Sequence, residues 1–196
     1  MDVERLKKAA AEKAVEFVHS GMVLGLGGGT TAALAIKRIG ELYRDGELQD
    51  ICGVPCSTRV ESIARGHGLP LTTLDDDPEI DLTIDGADEV DKDLNLIKGG
   101  GGALVWEKIV AQETRREIIV VDESKLSDTI GAQYPVPVEV LYFGLKTHRR
   151  FLEGLGAETS IRTGSAGQTY VTDNCNYIVD SDFGAIEDPE PLAKAM

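Results

Sequence analysis

The middle of the chain carries residue types that acid–base chemistry on a carbon acid requires. Asp85 and Asp88 lie three positions apart after an apolar, strand-like run. Lys98 precedes four consecutive glycines at 99–102, and Glu107 follows in a helix-like segment. One carboxylate can take a proton from carbon, others can exchange hydroxyl protons, and an ammonium can stabilise an oxyanion. This set predicts an enzyme that moves protons on a small polyhydroxy substrate.

Each of these residues also has an ordinary structural interpretation. Aspartates commonly follow strands as turn residues, and an isolated lysine or helical glutamate usually faces solvent. Their placement favours function, because open α/β sheets bind ligands at the carboxyl ends of parallel strands. Four glycines beside Lys98 indicate a backbone that comes close to a ligand.

A second glycine run, at residues 25–31, links a predicted strand to a predicted helix. Amides at a helix N-terminus bind phosphate, and here Gly28 and Gly29 offer backbone amides while Thr30 and Thr31 add hydroxyl donors. The run lacks the last glycine of the dinucleotide fingerprint and the lysine of a P-loop. It therefore predicts a simple phosphate site, with a tight turn that binds nothing as the alternative. Lys125, after a later strand, is a cation suited to the same phosphate.

Short apolar runs alternate with amphipathic helices over the first two thirds of the chain. Leu6, Ala10, Ala14 and Phe17 recur at helical spacing. Further helices are predicted at 30–43, through Val60, and around Glu107, and strands at 22–26, 51–54, 69–74, 80–84 and 118–121. This alternation predicts an α/β fold, with a Rossmann-like, mostly parallel sheet and helices on both faces.

The pattern changes near Gln133. A strand follows the proline-punctuated run 134–138, then a helix at 146–155, strands at 157–162 and 170–180, and a helix from Asp188; a hairpin at 173–176 breaks the second strand. We therefore expect a catalytic domain at 1–132 and a smaller α+β, ferredoxin-like domain at 133–196 that lacks its final strand. We also expect the natural protein to continue past Met196 with an apolar strand, and the small sheet to have an open edge or one covered by a neighbouring subunit.

Composition excludes several classes of partner. The net charge is −14 and the pI about 4.6, so the surface repels nucleic acid and anionic lipid. The three cysteines are odd in number and fit neither a CxxC pair nor a zinc pattern. No apolar run approaches the ~20 residues of a membrane span. We expect a cytoplasmic protein, and we read Asp75–Asp77 as a solvated turn, not a metal site.

Several motifs, in order along nearly the whole chain, resemble those of the type A ribose-5-phosphate isomerase family. They are LGLGGGTTAA, IDGADEVD, LIKGGGGAL, EKIVA, DESK, PVPVEV and VTDNCN. The resemblance implies interconversion of D-ribose 5-phosphate and D-ribulose 5-phosphate through an enediolate, in the non-oxidative branch of the pentose phosphate pathway. It also implies that no metal or cofactor is needed and that the enzyme is a homodimer or homotetramer.

The same resemblance assigns roles to individual residues. Glu107 would be the general base, with Asp85, Asp88 and Lys98 lining the sugar site as catalytic residues. The implied substrate contacts are Gly28, Gly29, Thr30, Thr31, Gly86, Ala87, Gly99, Gly100, Gly101, Lys125 and Lys7. Two positions depart from the family pattern: Gly28 stands where threonine is frequent, and Cys175 where a turn glycine is usual. The second departure predicts a different turn type there.

Two functions from other classes are alternatives. A non-catalytic sugar-phosphate sensing domain would keep the phosphate loop, but it would not need Glu107 with Lys98. Such domains usually accompany a DNA-binding helix-turn-helix. A CoA-transferase-like enzyme would use a glutamate as acyl nucleophile and would need a CoA site.

Overall fold

The computed structural model describes residues 3–196 and divides into two compact units. The first unit contains the described residues up to Gly86 together with Val105–Asp122. The second contains Ala87–Leu104 and Glu123–Met196. These units divide the chain by compactness, and the domain boundary placed between residues 132 and 133 stays a prediction.

Helices and strands alternate through most of the chain. The helices are α1 Val3–Val15, α2 Gly29–Arg44, α3 Thr58–Gly66, α4 Leu104–Gln112, α5 Leu145–Gly154 and α6 Pro189–Ala195, with a 3₁₀ turn at Glu123–Lys125. The strands are β1 Val23–Leu26, β2 Cys52–Pro55, β3 Leu82–Asp85, β4 Glu89–Val90, β5 Leu96–Ile97, β6 Glu117–Ile119, β7 Val136–Val140, β8 Glu158–Ile161 and β9 Tyr177–Asp182.

The first unit is built on a four-stranded parallel sheet in the order β2-β1-β3-β6. Leu24 and Leu26 of β1 and Leu82 and Ile84 of β3 are buried, as expected for parallel strands covered by helices. On α2, the buried Ala35, Ile36 and Ile39 recur at helical spacing and join the same apolar core. The predicted mostly parallel α/β sheet is confirmed, and β1, β2, β3 and β6 lie within two residues of their expected bounds.

The predicted strand at 69–74 is wrong. This segment makes one isolated parallel bridge, between Gly53 and Leu71, and then turns. The turn forms because the hydroxyls of Thr72 and Thr73 donate to the carboxylates of Asp77 and Asp76. Such local side-chain hydrogen bonds compete with strand formation.

The second unit contains two antiparallel sheets. Strands β4 and β5 pair as a short hairpin that the sequence did not predict. Strands β7, β9 and β8 form the other sheet in that order, with Val140, Leu152, Ala157 and Val179 in its core. Within residues 3–196 this sheet ends at β7 and at β8. The expected continuation past Met196 stays a prediction.

The predicted strand at 170–180 starts later than expected, at Tyr177. A tight turn precedes it, in which the Thr172 and Asn176 backbones are hydrogen-bonded and the Cys175 N–H donates to the Thr172 carbonyl. Cys175 has φ 60°, the left-handed region that favours glycine. Cys175 therefore adopts a conformation that favours glycine, and the prediction of a turn type different from the family's stays a prediction.

Candidate active site

The first glycine loop is fixed to the carboxyl end of β3. The Gly27 N–H donates to the Ile84 carbonyl at 3.0 Å, and the Gly28 N–H donates to Asp85 Oδ1 at 2.8 Å. The same oxygen accepts the Gly86 N–H at 2.7 Å. Asp85 is 2% exposed. It therefore anchors the loop, and the Gly28 amide is directed at Asp85.

The close approach of loop and strand explains the glycine at position 27. A Cβ there would lie 2.5 Å from the Asp85 Cα, a distance that side chains do not tolerate. Gly29 has φ +86° and begins α2, and the helix N-terminus carries a partial positive charge. Gly29 and Thr30 are exposed there, so their amides are placed to receive an anion.

Lys7 and Thr30 are brought together by helices α1 and α2. The Lys7 Nζ donates to the Thr30 Oγ1 at 3.1 Å, and the Lys7 side chain is 19% exposed. A cation thus stands at the start of α2, beside the loop that the sequence predicted to bind phosphate. Thr31, in the same first turn, is buried.

Glu107 lies in the first turn of α4 and is 7% exposed. A Cβ at Gly28 would lie 3.0 Å from the Glu107 Oε1, so this carboxylate stands against the first glycine loop. A threonine at position 28 would crowd it. The first unit therefore brings together Gly28, Asp85 and Glu107, which the sequence selected separately.

In the second unit, Asp88 immediately precedes strand β4 and Lys98 immediately follows strand β5. Glu89 pairs with Ile97, and the Asp88 N–H donates to the Ile97 carbonyl at 2.8 Å. Asp88 and Lys98 are thus the residues next to the Glu89–Ile97 pair at the open end of the hairpin. The Gly100 N–H donates to Asp88 Oδ2 at 2.6 Å, which joins the second glycine loop to the aspartate.

Lys125 has partners that the sequence did not suggest. Its Nζ donates to the Tyr134 hydroxyl at 2.7 Å and lies 4.4 Å from the centre of that ring. The segment carrying Tyr134 is held by Glu89, which is 0% exposed and accepts the N–H groups of Gly131 and Tyr134, both at 3.1 Å. Sequence reasoning did not select Glu89, although its place in the IDGADEVD motif could have identified it.

Other charged and sulfur groups lie outside this set. None of the three cysteines, all of which lie among the described residues, forms a disulfide bond. Burial, and then Asp77 and Asp81, raise the pKa of the Cys52 thiol. Among residues 3–196, no cluster of three His, Cys, Asp or Glu could hold a metal ion. No helix in this part of the chain is long and apolar enough to cross a membrane.

The first unit has a buried glutamate against a glycine loop at a helix start, and the second has a hairpin flanked by an aspartate and a lysine and followed by glycines. Each of these features is typical of one class of protein. That class is the α/β enzymes that perform acid–base chemistry on a small phosphorylated substrate.

Comparison with known proteins identifies the family. Residues 52–196 match the family model of ribose 5-phosphate isomerase A (phosphoriboisomerase A). The chain is 53% identical to ribose-5-phosphate isomerase A of Desulfatibacillum aliphaticivorans, over 98% of this chain and 84% of that protein. It is 48% identical to a probable ribose-5-phosphate isomerase 2 of Arabidopsis thaliana, over 94% and 74%.

Solved structures agree with this result. Ribose 5-phosphate isomerase from Plasmodium falciparum superposes with a TM-score of 0.93 at 43% identity, covering 97% of this chain and 84% of that one. The enzyme from Methanocaldococcus jannaschii gives 0.92 at 41%, with the same coverage. The chain belongs to the ribose 5-phosphate isomerase A family, and it interconverts ribose 5-phosphate and ribulose 5-phosphate. Family membership favours this function over the sensing domain and the CoA-transferase-like enzyme.

Proposed function

We propose that Glu107 is the general base of this isomerisation. Aldose–ketose conversion moves a proton between C2 and C1 through an enediolate, so one base must take the proton from one carbon and return it to the other. The observation that carries the proposal is the burial of the Glu107 carboxylate against the Gly28 loop. A carboxylate without bulk water around it is a stronger base towards carbon.

A solved relative supports the enediolate. One ribose-5-phosphate isomerase structure, with a TM-score of 0.94 and 42% identity, is described as a complex with phospho-erythronic acid. The carboxylate of such an acid is planar and carries its charge on oxygen, as does the enediolate, whose two oxygens lie on two adjacent planar carbons. Compounds that resemble a reactive intermediate bind tightly to enzymes that stabilise it.

The other polar residues supply hydroxyl proton transfer, ring opening and stabilisation of the enediolate. Asp88 exchanges hydroxyl protons and assists opening of the sugar ring, with the Gly100 amide holding its carboxylate. Lys98 and the amides of Gly99 and Gly101 stabilise the enediolate oxygen. Asp85 shares the hydroxyl chemistry, and it has a second task because its Oδ1 holds the Gly28 and Gly86 amides. Backbone groups of Gly86 and Ala87 contact the sugar.

The phosphate is bound by the start of α2. Gly29, Thr30 and Thr31 supply backbone and hydroxyl donors, while the Gly28 amide is held by Asp85 and its missing side chain leaves room for the substrate. Lys7 adds positive charge through its position beside Thr30. Lys125 is the second cation proposed for the phosphate. Because the net charge is −14, such local cations are needed for an anionic substrate to bind.

Proton transfer by Glu107 can be measured directly. In D₂O, the wild-type chain should exchange the C1 and C2 protons of its substrates while it equilibrates them, as followed by ¹H NMR. Glu107→Gln keeps size and polarity but cannot act as a base, so we expect both exchange and isomerisation to fall by about 10²–10⁴-fold, with little change in affinity for phospho-erythronic acid.

The exposed Glu113, just after α4, provides a matched control. Glu113→Gln should leave the rate within twofold of wild type. Near-normal turnover in Glu107→Gln would remove Glu107 from the mechanism.

We further propose that the enzyme works in the cytoplasm as a homodimer or homotetramer. Three cysteines that form no disulfide among the described residues suit a reducing compartment. Association is supported by adjacent exposed apolar side chains, Leu141, Tyr142 and Phe143, which are 60%, 67% and 81% exposed. Light scattering coupled to size exclusion tests the assembly, and a monomer at micromolar concentration would contradict it.

A further inference from the structure

The side chain of an arginine in the second unit binds the backbone carbonyls of the second glycine loop. Arg162 follows β8, and its side chain is 15% exposed. Its Nε donates to Asp180 Oδ2 at 3.0 Å and its Nη2 donates to Asp180 Oδ1. The bidentate pair fixes the plane of the guanidinium.

The remaining edge of the guanidinium faces the glycines. Arg162 Nη1 donates to the Gly99 carbonyl at 2.7 Å and to the Gly100 carbonyl at 3.1 Å. The Tyr170 hydroxyl donates to the next carbonyl, of Gly101, at 3.4 Å. Three consecutive carbonyls of a loop without side chains are therefore held by residues more than 60 positions away.

Holding a carbonyl also directs the amide of the same peptide group. In a trans peptide the N–H points away from the C=O, so Arg162 on the Gly99 carbonyl directs the Gly100 N–H to the opposite side. That N–H donates to Asp88 Oδ2 at 2.6 Å. The Gly100 carbonyl fixes the Gly101 N–H in the same way.

We propose that Arg162, oriented by Asp180, is a positioning residue that sets Asp88 and the glycine-loop amides for the isomerisation. A hydrogen-bonded series runs from Asp180 through Arg162 and the Gly99–Gly100 peptide to Asp88. A cation on the carbonyl polarises the peptide and strengthens its N–H as a donor. Without the guanidinium, four consecutive glycines regain conformational freedom. This inference rests on the role proposed for Asp88.

The chain offers a matched control in Arg149. Its guanidinium also donates to a carbonyl, that of Thr159 at 3.1 Å, and to a carboxylate, that of Glu153 at 3.4 Å. These contacts join α5 to β8 and do not touch the glycine loop. Arg149→Met therefore reproduces the loss of a guanidinium in the same unit.

The test combines steady-state kinetics with a double-mutant cycle. We expect Arg162→Met to lower kcat by about 10–100-fold, as for loss of a charge-assisted contact, with KM changed less than threefold. Arg162→Lys should recover part of that loss, and Arg149→Met should leave kcat within twofold. The double variant Asp88→Asn/Arg162→Met should be no slower than Asp88→Asn alone, because both changes remove the same function.

A kcat within twofold of wild type in folded Arg162→Met, or effects that multiply in the double variant, would overturn the inference. If Arg162→Met does not fold, Arg162→Lys and Asp180→Asn give the same cycle with Asp88→Asn. Full activity in Asp88→Asn would instead contradict the role proposed for Asp88. The two failures are therefore distinguishable.

Discussion

The two glycine loops differ in what holds them. The loop at 27–29 joins β1 to α2, and its amides bond to Ile84 and Asp85 of the neighbouring parallel strand. The loop at 99–102 has a turn hydrogen bond from Gly102 to Gly99, but its carbonyls are held by the side chains of Arg162 and Tyr170.

This difference separates two ways of placing backbone donors. In the first loop, the sheet register and the start of a helix set the direction of the amides, so neighbouring secondary structure suffices. The second loop lies between the two-residue strand β5 and the start of α4, and its carbonyls are held by polar side chains of the segment between β8 and β9. The second arrangement depends on side chains that are distant in sequence. Replacing one of those side chains should therefore disturb the second loop more than the rest of the unit.

The largest expected effect tests how tightly the first loop is packed. Gly27→Ala places a Cβ 2.5 Å from the Asp85 Cα, so backbone must move. We expect the free energy of unfolding to fall by about 2–3 kcal/mol and activity to fall with it. A Cβ at Gly101 of the second loop would meet nothing within 4 Å, so Gly101→Ala should change stability by less than about 0.5 kcal/mol. Urea denaturation measures the free energy of unfolding of both variants. Equal losses would contradict the difference in packing between the two loops.

A smaller effect is expected at the proposed phosphate cation of the second unit. Lys125→Ala should raise KM for ribose 5-phosphate by about 10–100-fold, since a hydrogen bond to a charged group contributes about 1.5–3 kcal/mol. The kcat should change little, because a contact remote from the reacting carbons stabilises ground and transition states alike. Tyr134→Phe, which removes only the 2.7 Å hydrogen bond, should have a weaker effect. An unchanged KM in Lys125→Ala would remove Lys125 from the phosphate site.

A third effect concerns another loop of the second unit held by a distant side chain. Glu139 Oε1 accepts hydrogen bonds from Thr172, Asn174 and Asn176, and the turn forces Cys175 to φ 60°. A left-handed non-glycine residue costs about 1–2 kcal/mol. Cys175→Gly relieves that strain but adds unfolded-state freedom, so we expect a net stabilisation of about 0.5–1 kcal/mol by thermal denaturation. Cys175→Ala keeps the strain and should give no gain; a gain of the same size there would point to the thiol.

The smallest expected change follows from removing metal ions. We expect activity to be unaffected by EDTA, because Lys98, the glycine amides and the helix start supply the positive charge that the enediolate and the phosphate need. The measurement is the rate of ribulose 5-phosphate formation after dialysis against chelator. Activity that disappears and returns with one divalent ion would show that the aspartates act as ligands.

Much of the first unit could be predicted from sequence. The alternation of apolar runs with helical spacing located β1, α2, β2 and β3, because a parallel sheet buried on both faces requires continuous apolar strands. It failed at residues 69–74, where threonine–aspartate hydrogen bonds made a turn instead. It also missed the β4–β5 hairpin, whose two-residue strands are too short to show a periodic pattern.

The sequence by itself determined the residue types of the chemistry, the parallel sheet, and the family to which the chain belongs. Spacing sufficed there because helix starts and strand ends are local features. Only the tertiary structure decided which distant side chains hold the backbone. Asp85 binds the first glycine loop, Glu89 binds the segment carrying Tyr134, and Arg162 binds the second loop. These contacts join residues about 45 to 63 positions apart, and no local pattern specifies which distant side chain will satisfy a buried or glycine-rich backbone.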